Sequence, residues 1–162
     1  MFITPIQCRA ARGLLGLSQA AVAQPAHIAP TTVADFEGGV RVPNVNYLKA
    51  ICAVLEAAGA ELIPDNGGGP GARLRDAPRS RTSDNLAISP EQCRAARAVL
   101  NLSQVGLARK AGAGRSTVAD FERGARVPGP DQLATLRNVL EGAGIIFIES
   151  DGTGGLGVRL RK

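Results

Sequence analysis

A group of cationic and hydroxyl side chains between residues 103 and 126 is the part of the sequence best equipped to recognise a ligand. Its members are Ser103, Gln104, Arg109, Lys110, Arg115, Ser116, Thr117, Asp120, Arg123 and Arg126. Arg and Lys donate hydrogen bonds to anionic oxygens, Ser, Thr and Gln both donate and accept, and Asp accepts. The group is therefore suited to non-covalent recognition, and its excess of cations favours an anionic partner.

Catalytic, metal and cofactor motifs are not recognisable in the chain. His27 is the only histidine, and a turn residue is favoured over a ligand or a catalytic base. Cys8, Cys52 and Cys93 form no C-x-x-C pair, which favours buried free thiols over redox or metal roles. The glycines of residues 67–71 lack the Lys-Ser/Thr of a phosphate-binding loop, so a hairpin turn is expected there. We expect no enzyme activity, no cofactor and no metal site.

Two short helices joined by a glycine turn should position the group. Ser103 is a good cap for the first helix, because its hydroxyl can accept from a free N–H of the first turn. Gly112 should end that helix and Gly114 should begin the second. Val118 and Phe121 then lie on the apolar side of the second helix, and the polar members of the group are left towards solvent.

This arrangement resembles the helix-turn-helix of the Cro and phage-repressor family, also called the XRE family. The matching segments are Ser103-Gln104, Leu107-Ala108, Gly112, Ser116-Thr117-Val118 and Phe121-Glu122-Arg123-Gly124. In that family the second helix enters the major groove of DNA, so the resemblance implies double-stranded DNA as the partner. It also implies that Gln104 braces a backbone phosphate.

The start of the second helix is the expected site of base contacts. Arg115 can bond guanine O6 and N7 together, which the neighbouring Ser116 and Thr117 cannot do, and Asp120 can accept from cytosine N4. The remaining cations are better suited to phosphate. They are Arg109, Lys110, Arg123 and Arg126.

The chain repeats itself at an offset of about 85 residues. Half of the positions in residues 4–63 are identical to their partners in residues 89–148, which indicates a tandem duplication. The expected fold is mainly α, with two tandem lambda-repressor-like helix-turn-helix domains, each followed by a short C-terminal β-hairpin. The expected domains are residues 1–75 (the first repeat) and residues 88–162 (the second repeat), joined by a linker at residues 76–87.

Each repeat should begin with a capped helix, from the cap-and-proline pairs Thr4-Pro5 and Ser89-Pro90 with a Gln two residues further on. Apolar spacing predicts the buried faces of the first and fourth helices. These faces are Cys8, Ala11 and Leu15; Cys93, Ala96 and Leu100; Leu48, Ile51, Leu55 and Ala58; and Leu133, Leu136, Leu140 and Ala143. The family resemblance further implies that Arg12 meets Glu37 and that Arg97 meets Glu122.

Hairpins are predicted from residues 60–64 with 72–75 and from residues 145–149 with 158–161. An isolated two-stranded hairpin is marginal in water, so these strands should pair further, either between the repeats or between chains as a homo- or hetero-dimer. As a flexible coil the linker would span about 20 Å, and extended about 40 Å. Domains so joined could reach adjacent major grooves about 34 Å apart.

The repeats differ most where DNA would be contacted. Gln24-Pro25 replace Arg109-Lys110, His27 replaces Gly112, Ala29 replaces Gly114 and Pro30 replaces Arg115. Pro25 should end its helix early, whereas Pro30 is tolerable near a helix start. The first repeat keeps Gln19, Thr31, Thr32 and Arg41, and we expect it to bind DNA more weakly or with a different specificity.

Charge follows the same division. The chain has a formal net charge of +5, yet residues 1–64 hold four cations and four carboxylates, whereas residues 88–162 hold eleven cations and seven carboxylates. The second repeat is therefore the expected main DNA-binding half. No stretch approaches the roughly 20 apolar residues of a membrane span, so we expect no membrane partner and a cytoplasmic, nucleoid-associated location.

Together these features predict a DNA-binding transcriptional regulator. Our interpretation is a repressor that occludes a promoter or operator, with its two halves acting as a fused pseudo-dimer. The alternative is a protein-interaction regulator, similar to an antiactivator or antitoxin, in which the first domain binds a protein.

Overall fold

The structure is a computed structural model that describes residues 2–76 and 87–162. The first repeat contains α1 (Pro5–Leu15), α2 (Gln19–Ala23), α3 (Pro30–Glu37), α4 (Val45–Ala57), β1 (Ala60–Ile63) and β2 (Gly71–Leu74). The second contains α5 (Pro90–Leu100), α6 (Gln104–Ala111), α7 (Arg115–Glu122), α8 (Pro130–Gly142), β3 (Ile145–Ile148) and β4 (Gly157–Leu160). The mainly helical fold with two helix-turn-helix units, each followed by a strand pair, is confirmed. Residues 77–86, most of the expected linker, lie outside the described residues.

Both repeats begin with the same capping box. The hydroxyl of Thr4 accepts from the N–H of Gln7 at 3.2 Å, while the Gln7 side chain accepts from the N–H of Thr4 at 2.9 Å. Ser89 and Gln92 repeat this exchange at 3.1 Å each way. The buried Gln7 amide also donates to the carbonyl of Ile63 at 2.8 Å, so the cap of α1 is tied to the hairpin of its own repeat.

The predicted core faces are correct except at their edges. Cys8 and Cys93 are buried, but Leu14 rather than Leu15, and likewise Val99 rather than Leu100, lies fully inside. The buried arc of α1 is widened because α5 packs against it, with Gly13 close to the backbone of Ala95. The prediction was also wrong for Ala58 and Ala143, which are exposed because each is the C-cap where its helix ends.

A four-stranded antiparallel sheet joins the two repeats, with strand order β1-β2-β4-β3. The hairpins therefore pair with each other within the chain, through β2 and β4 at the centre of the sheet. Ala72 faces Val158, Gly71 faces Arg159 and Arg73 faces Gly157. Gly71 and Gly157 each begin the second strand of their hairpin, so exchanging the repeats leaves the register unchanged. Such self-complementary pairing is the pattern of a two-fold contact.

Arginine side chains of the central strands β2 and β4 contact the hairpin of the other repeat. Arg159 donates to the carbonyl oxygens of Gly69 at 2.8 Å and Pro64 at 3.1 Å, both in the first hairpin. Arg73 lies against Gly154 of the second hairpin, where an added Cβ would be 2.5 Å from the Arg73 guanidinium carbon. A side chain at this position would have to displace the Arg73 guanidinium of the other repeat.

The helices α1 and α5 come closest at Gly13. A Cβ on Gly13 would lie 2.5 Å from the Cα of Ala95, so only glycine permits this approach. Arg94 donates through Nε to the Gly13 carbonyl at 3.3 Å. The equivalent Arg9 Nε is buried and has no hydrogen-bond partner among the described residues. Ala98 carries a methyl group where Gly13 has none, so the helix contact is less symmetric than the sheet.

We expect Gly13→Ala to lower the free energy of unfolding by about 2 kcal/mol. Overpacking against backbone costs about 3 kcal/mol at the upper end of its range, and the helix propensity of alanine returns about 1 kcal/mol. Gly142→Ala is the matched control, because no atom of the described residues lies within 4 Å of its added Cβ. Urea unfolding followed by circular dichroism measures both; equal stability of the two variants would contradict a tight α1–α5 contact.

Candidate nucleic-acid interface

The second motif, residues 103–126, is built as its sequence predicts. The Ser103 hydroxyl accepts from the N–H of Gly106 at 2.9 Å and caps α6. Gly112 ends α6 with a left-handed φ of 61°, and Gly114 is the N-cap of α7 without a side-chain bond. Arg115 is therefore the first residue of α7 and is exposed.

The first motif, residues 18–41, has a shorter first helix. The helix α2 ends at Ala23, two residues before Pro25, whereas α6 continues through Ala111. Pro30 occupies the first position of α3, where its missing N–H has no helical partner to lose. His27 takes the place of Gly112 and keeps the left-handed conformation, with φ of 54°, which confirms it as a turn residue.

His27→Gly should raise the free energy of unfolding by about 0.5–1 kcal/mol, because a left-handed conformation costs a residue with a Cβ more than it costs glycine. The His27 side chain is exposed, so little contact is lost. The reverse change, Gly112→Ala, should lower stability by about 1 kcal/mol, since nothing crowds its Cβ and only the backbone conformation is affected. Thermal unfolding tests both; no gain for His27→Gly would contradict stored strain at this turn.

In each motif a buried carboxylate at the end of the second helix accepts hydrogen bonds from several other side chains. Glu122 accepts from Arg97 Nε at 2.6 Å and Nη2 at 2.7 Å, and the Arg97–Glu122 contact implied by the family resemblance is present. Gln104 donates to the same carboxylate at 2.8 Å. In the first repeat Glu37 is bound in the same way by Arg12 at 2.8 and 3.0 Å, and by Gln19 at 2.9 Å.

These contacts orient the side-chain amides of Gln19 and Gln104. Each amide uses one N–H on the buried carboxylate, at the first position of α2 or α6, and retains a second N–H and its carbonyl oxygen. Phosphate bracing by Gln104 and a DNA contact by Gln19 therefore remain predictions, with the glutamate setting the orientation of each amide.

The buried thiols complete the same clusters. Cys8 donates to Glu37 and Cys93 donates to Glu122, each over 3.4 Å. Burial, together with the negative charge of the adjacent glutamate, raises the pKa of both thiols far above its ordinary value. Because the thiolate is the reactive form, these cysteines are packing residues. Cys52 is only half-buried, and burial is the main reason that its pKa is raised to about 11.

In both repeats several predicted residues line a groove between the second helix of the motif and the loop that follows it. This second helix, α3 or α7, is called the recognition helix below. In the second repeat the groove has a volume of about 150 Å³ and is lined by Ser116, Thr117, Asp120, Arg126, Val127, Pro128, Gly129 and Gln132. In the first repeat it has a volume of about 160 Å³ and is lined by Thr32, Asp35, Arg41, Pro43, Asn44 and Tyr47. Sequence reasoning missed the contribution of the fourth helix, Tyr47 and Gln132, although the proline restart placed that helix correctly.

The other predicted residues lie outside this groove. Arg109 and Lys110 are exposed in the last turn of α6, and Thr31 is exposed at the start of α3. Arg123 is bonded to Asp120, which places a cation beside the one carboxylate of the groove. The groove of the second repeat therefore holds Ser116, Thr117, Asp120 and Arg126, whereas Arg109 and Lys110 lie outside it.

Family models match both repeats. Residues 7–62 match a model described as "Helix-turn-helix domain", and residues 94–142 match one described as "Helix-turn-helix". The chain is a tandem pair of XRE-type helix-turn-helix domains. A search of curated proteins found no match. Among the described residues no helix is both long enough and apolar enough to cross a membrane. The two XRE domains support a DNA-binding regulator, and no enzyme family is shown.

The two XRE motifs differ in charge. The second motif holds five cationic side chains and two carboxylates, one of which is the buried Glu122. The first motif holds Arg41 as its single cation beside Asp35 and Glu37. Since phosphate contacts supply most of the non-specific affinity for DNA, the second XRE domain presents the more favourable surface.

Proposed function

We propose that the chain is a sequence-specific transcriptional repressor whose two XRE domains act as a fused pseudo-dimer. The proposed domains are residues 1–75 and 88–162, with residues 76–87 as the linker. The observation that carries this proposal is the β2–β4 register, which is unchanged when the repeats are exchanged. Homodimeric regulators obtain a two-fold contact from two chains, and here one chain supplies both sides.

A two-fold relation between the domains has a consequence for the DNA. Two recognition helices related in this way meet half-sites that are inverted, although the domains follow one another in tandem along the chain. The half-site centres are expected about 34–36 Å apart, which is one helical turn, or a multiple of that. The operator is therefore an imperfect inverted repeat, because the two recognition helices differ in sequence.

In this proposal the second domain makes the stronger contacts with DNA. Arg115 contacts a guanine, with Ser116, Thr117 and Asp120 beside it in or near the groove. The phosphate contacts come from Ser103, Gln104, Arg109, Lys110, Arg123 and Arg126. In the first domain the corresponding contacts are reduced to Gln19, Thr31, Thr32 and Arg41, and Asp35, which forms no ion pair among the described residues, opposes phosphate.

Repression by occlusion requires occupancy of the promoter and no catalytic step. In vitro transcription tests it on a template whose promoter overlaps a site selected by the full chain. Added protein should reduce the transcript, and moving the site well upstream should abolish the effect. A rise in transcript would refute repression while leaving DNA binding intact.

The protein-interaction alternative is favoured by one observation: the first motif holds Arg41 as its single cation, and exposed apolar side chains lie at its C-terminal end and just beyond it. Equilibrium binding to genomic DNA fragments over a salt series separates the two functions. Affinity that falls as salt rises supports the DNA-binding regulator, because cations on the protein displace counterions from the duplex. The absence of salt-sensitive binding to any fragment would favour the alternative.

A further inference from the structure

Four exposed apolar side chains lie on the segment of the first domain that contributes one wall of its groove. Val40 is 78% exposed, Val42 73%, Val45 46% and Tyr47 42%. They lie within eight residues, on the loop after α3 and the first turn of α4. Tyr47 also lines the groove. We call these four side chains, with Asp35 and Arg41, the apolar patch. Scattered exposed apolar residues are ordinary, but four within one short segment beside a groove indicate a contact surface.

The second domain provides an internal control at the same positions. There Ala125 replaces Val40, Pro130 replaces Val45 and Gln132 replaces Tyr47, while Val127 matches Val42. Three of the four positions are thus larger or more apolar in the first domain. The change falls on the domain that has also lost the cations Arg109, Lys110 and Arg115. The first domain is therefore poorer in phosphate-binding cations and richer in exposed apolar side chains than the second.

The patch holds one acidic side chain, Asp35, and one basic side chain, Arg41. Asp35 corresponds to Asp120, but Gly38 stands where Arg123 pairs with Asp120. Within residues 2–76 and 87–162 neither Asp35 nor Arg41 is part of an ion pair, although both line the same groove. One free acid and one free base on a single patch make it electrostatically complementary to itself.

We propose that this apolar patch docks the same patch of a second copy of the chain. In a two-fold contact Asp35 of each copy faces Arg41 of its mate, and the valines and Tyr47 of the two copies cover one another. The same contact between two second domains is opposed by the repulsion of their five-cation motifs. The self-association is therefore specific to the first domain.

The patch is short, so the dimer is of the weak, concentration-dependent class that buries less than about 1,200 Å² in total. The patch shares Arg41 and the groove of α3 with the surface proposed to contact a half-site, so self-association and DNA binding by the first domain exclude one another. This inference goes beyond repression by one chain and does not depend on it, since self-association is measured without DNA.

Sedimentation of the full chain tests the proposal. The mass should rise from 16.7 kDa towards twice that value as the protein concentration is increased from about 1 to several hundred µM. Val40→Glu should weaken self-association at least tenfold, because two charges would meet in the apolar contact. Ala125→Glu, the matched change in the second domain, should leave it unaltered. A monomer at every concentration, or equal effects of both variants, would overturn the proposal.

A charge exchange tests the pairing directly. Asp35→Arg and Arg41→Asp should each weaken self-association, since each brings like charges together. An equimolar mixture of the two variants should associate at least as well as the native chain, because each acid again faces a base. Folding defects cannot produce that rescue. If the mixture fails to associate, or if the variants change only DNA affinity, the patch contacts DNA and the proposal is wrong.

Discussion

Replacing Glu122 with alanine should lower the free energy of unfolding by about 3–5 kcal/mol, because it leaves a buried charge without its partner. Glu122 is 2% exposed at its side chain and Arg97 is 18% exposed. The carboxylate also accepts from Gln104 and Cys93, so its loss leaves several donors unsatisfied behind the recognition helix. Urea unfolding monitored by circular dichroism measures the loss.

The control for this prediction is a double-mutant cycle. Arg97→Ala alone should also be strongly destabilising, whereas Arg97→Ala combined with Glu122→Ala should cost clearly less than the sum, since neither charge is then left unpaired. Glu37→Ala tests the equivalent cluster in the first domain and should give a similar loss. A Glu122→Ala loss below about 1 kcal/mol, or additivity within the cycle, would show that the ion pair does not stabilise the domain.

The second large effect is expected at Arg115. Arg115→Ala should weaken binding to a selected operator by about 1–3 kcal/mol, or about 5- to 150-fold, and relax the preference at one base position. Arg115 is exposed as the first residue of α7, where a guanidinium can bond guanine O6 and N7 together. Fluorescence anisotropy with the operator and with random-sequence duplex of equal length gives both affinities.

Two comparisons make this assignment specific. Lys110→Ala should weaken operator and random DNA alike and reduce the salt slope by about one, as for a phosphate contact. Substituting Thr31 and Thr32 in the first domain should weaken binding less than substituting Arg115 and Ser116. Equal losses on both DNAs for Arg115→Ala and Lys110→Ala would refute their separate roles. The reverse order of the domains would show that the first one dominates.

The local structure was predictable because its signals are local. Thr4-Pro5 and Ser89-Pro90 specify their helix starts within one turn, and Pro25 ends α2 by removing a backbone donor. Because the two repeats align, each residue could be compared with the residue at the same position of the other repeat. The turn at His27 was thus predictable, since Gly112 stands at the same position of the second repeat.

The relation between the repeats was not predictable by the same means. Pairing of Ala72 with Val158 joins residues far apart in sequence, and hairpin patterns do not distinguish pairing within a chain from pairing between chains. The contact of Gly13 with Ala95 is made by small residues, whose sequence pattern carries no mark of a helix interface. The fourth helix was placed correctly, but its share of the groove depends on how the preceding loop folds back.

The most direct test of the central claim is selection of binding sites from random duplex DNA by the full chain. A two-fold pair of unequal domains predicts two inverted half-sites, one more sharply specified than the other, with centres about one helical turn or a multiple apart. Direct half-sites would contradict the pseudo-dimer, and no enrichment of any sequence would contradict sequence-specific DNA binding itself.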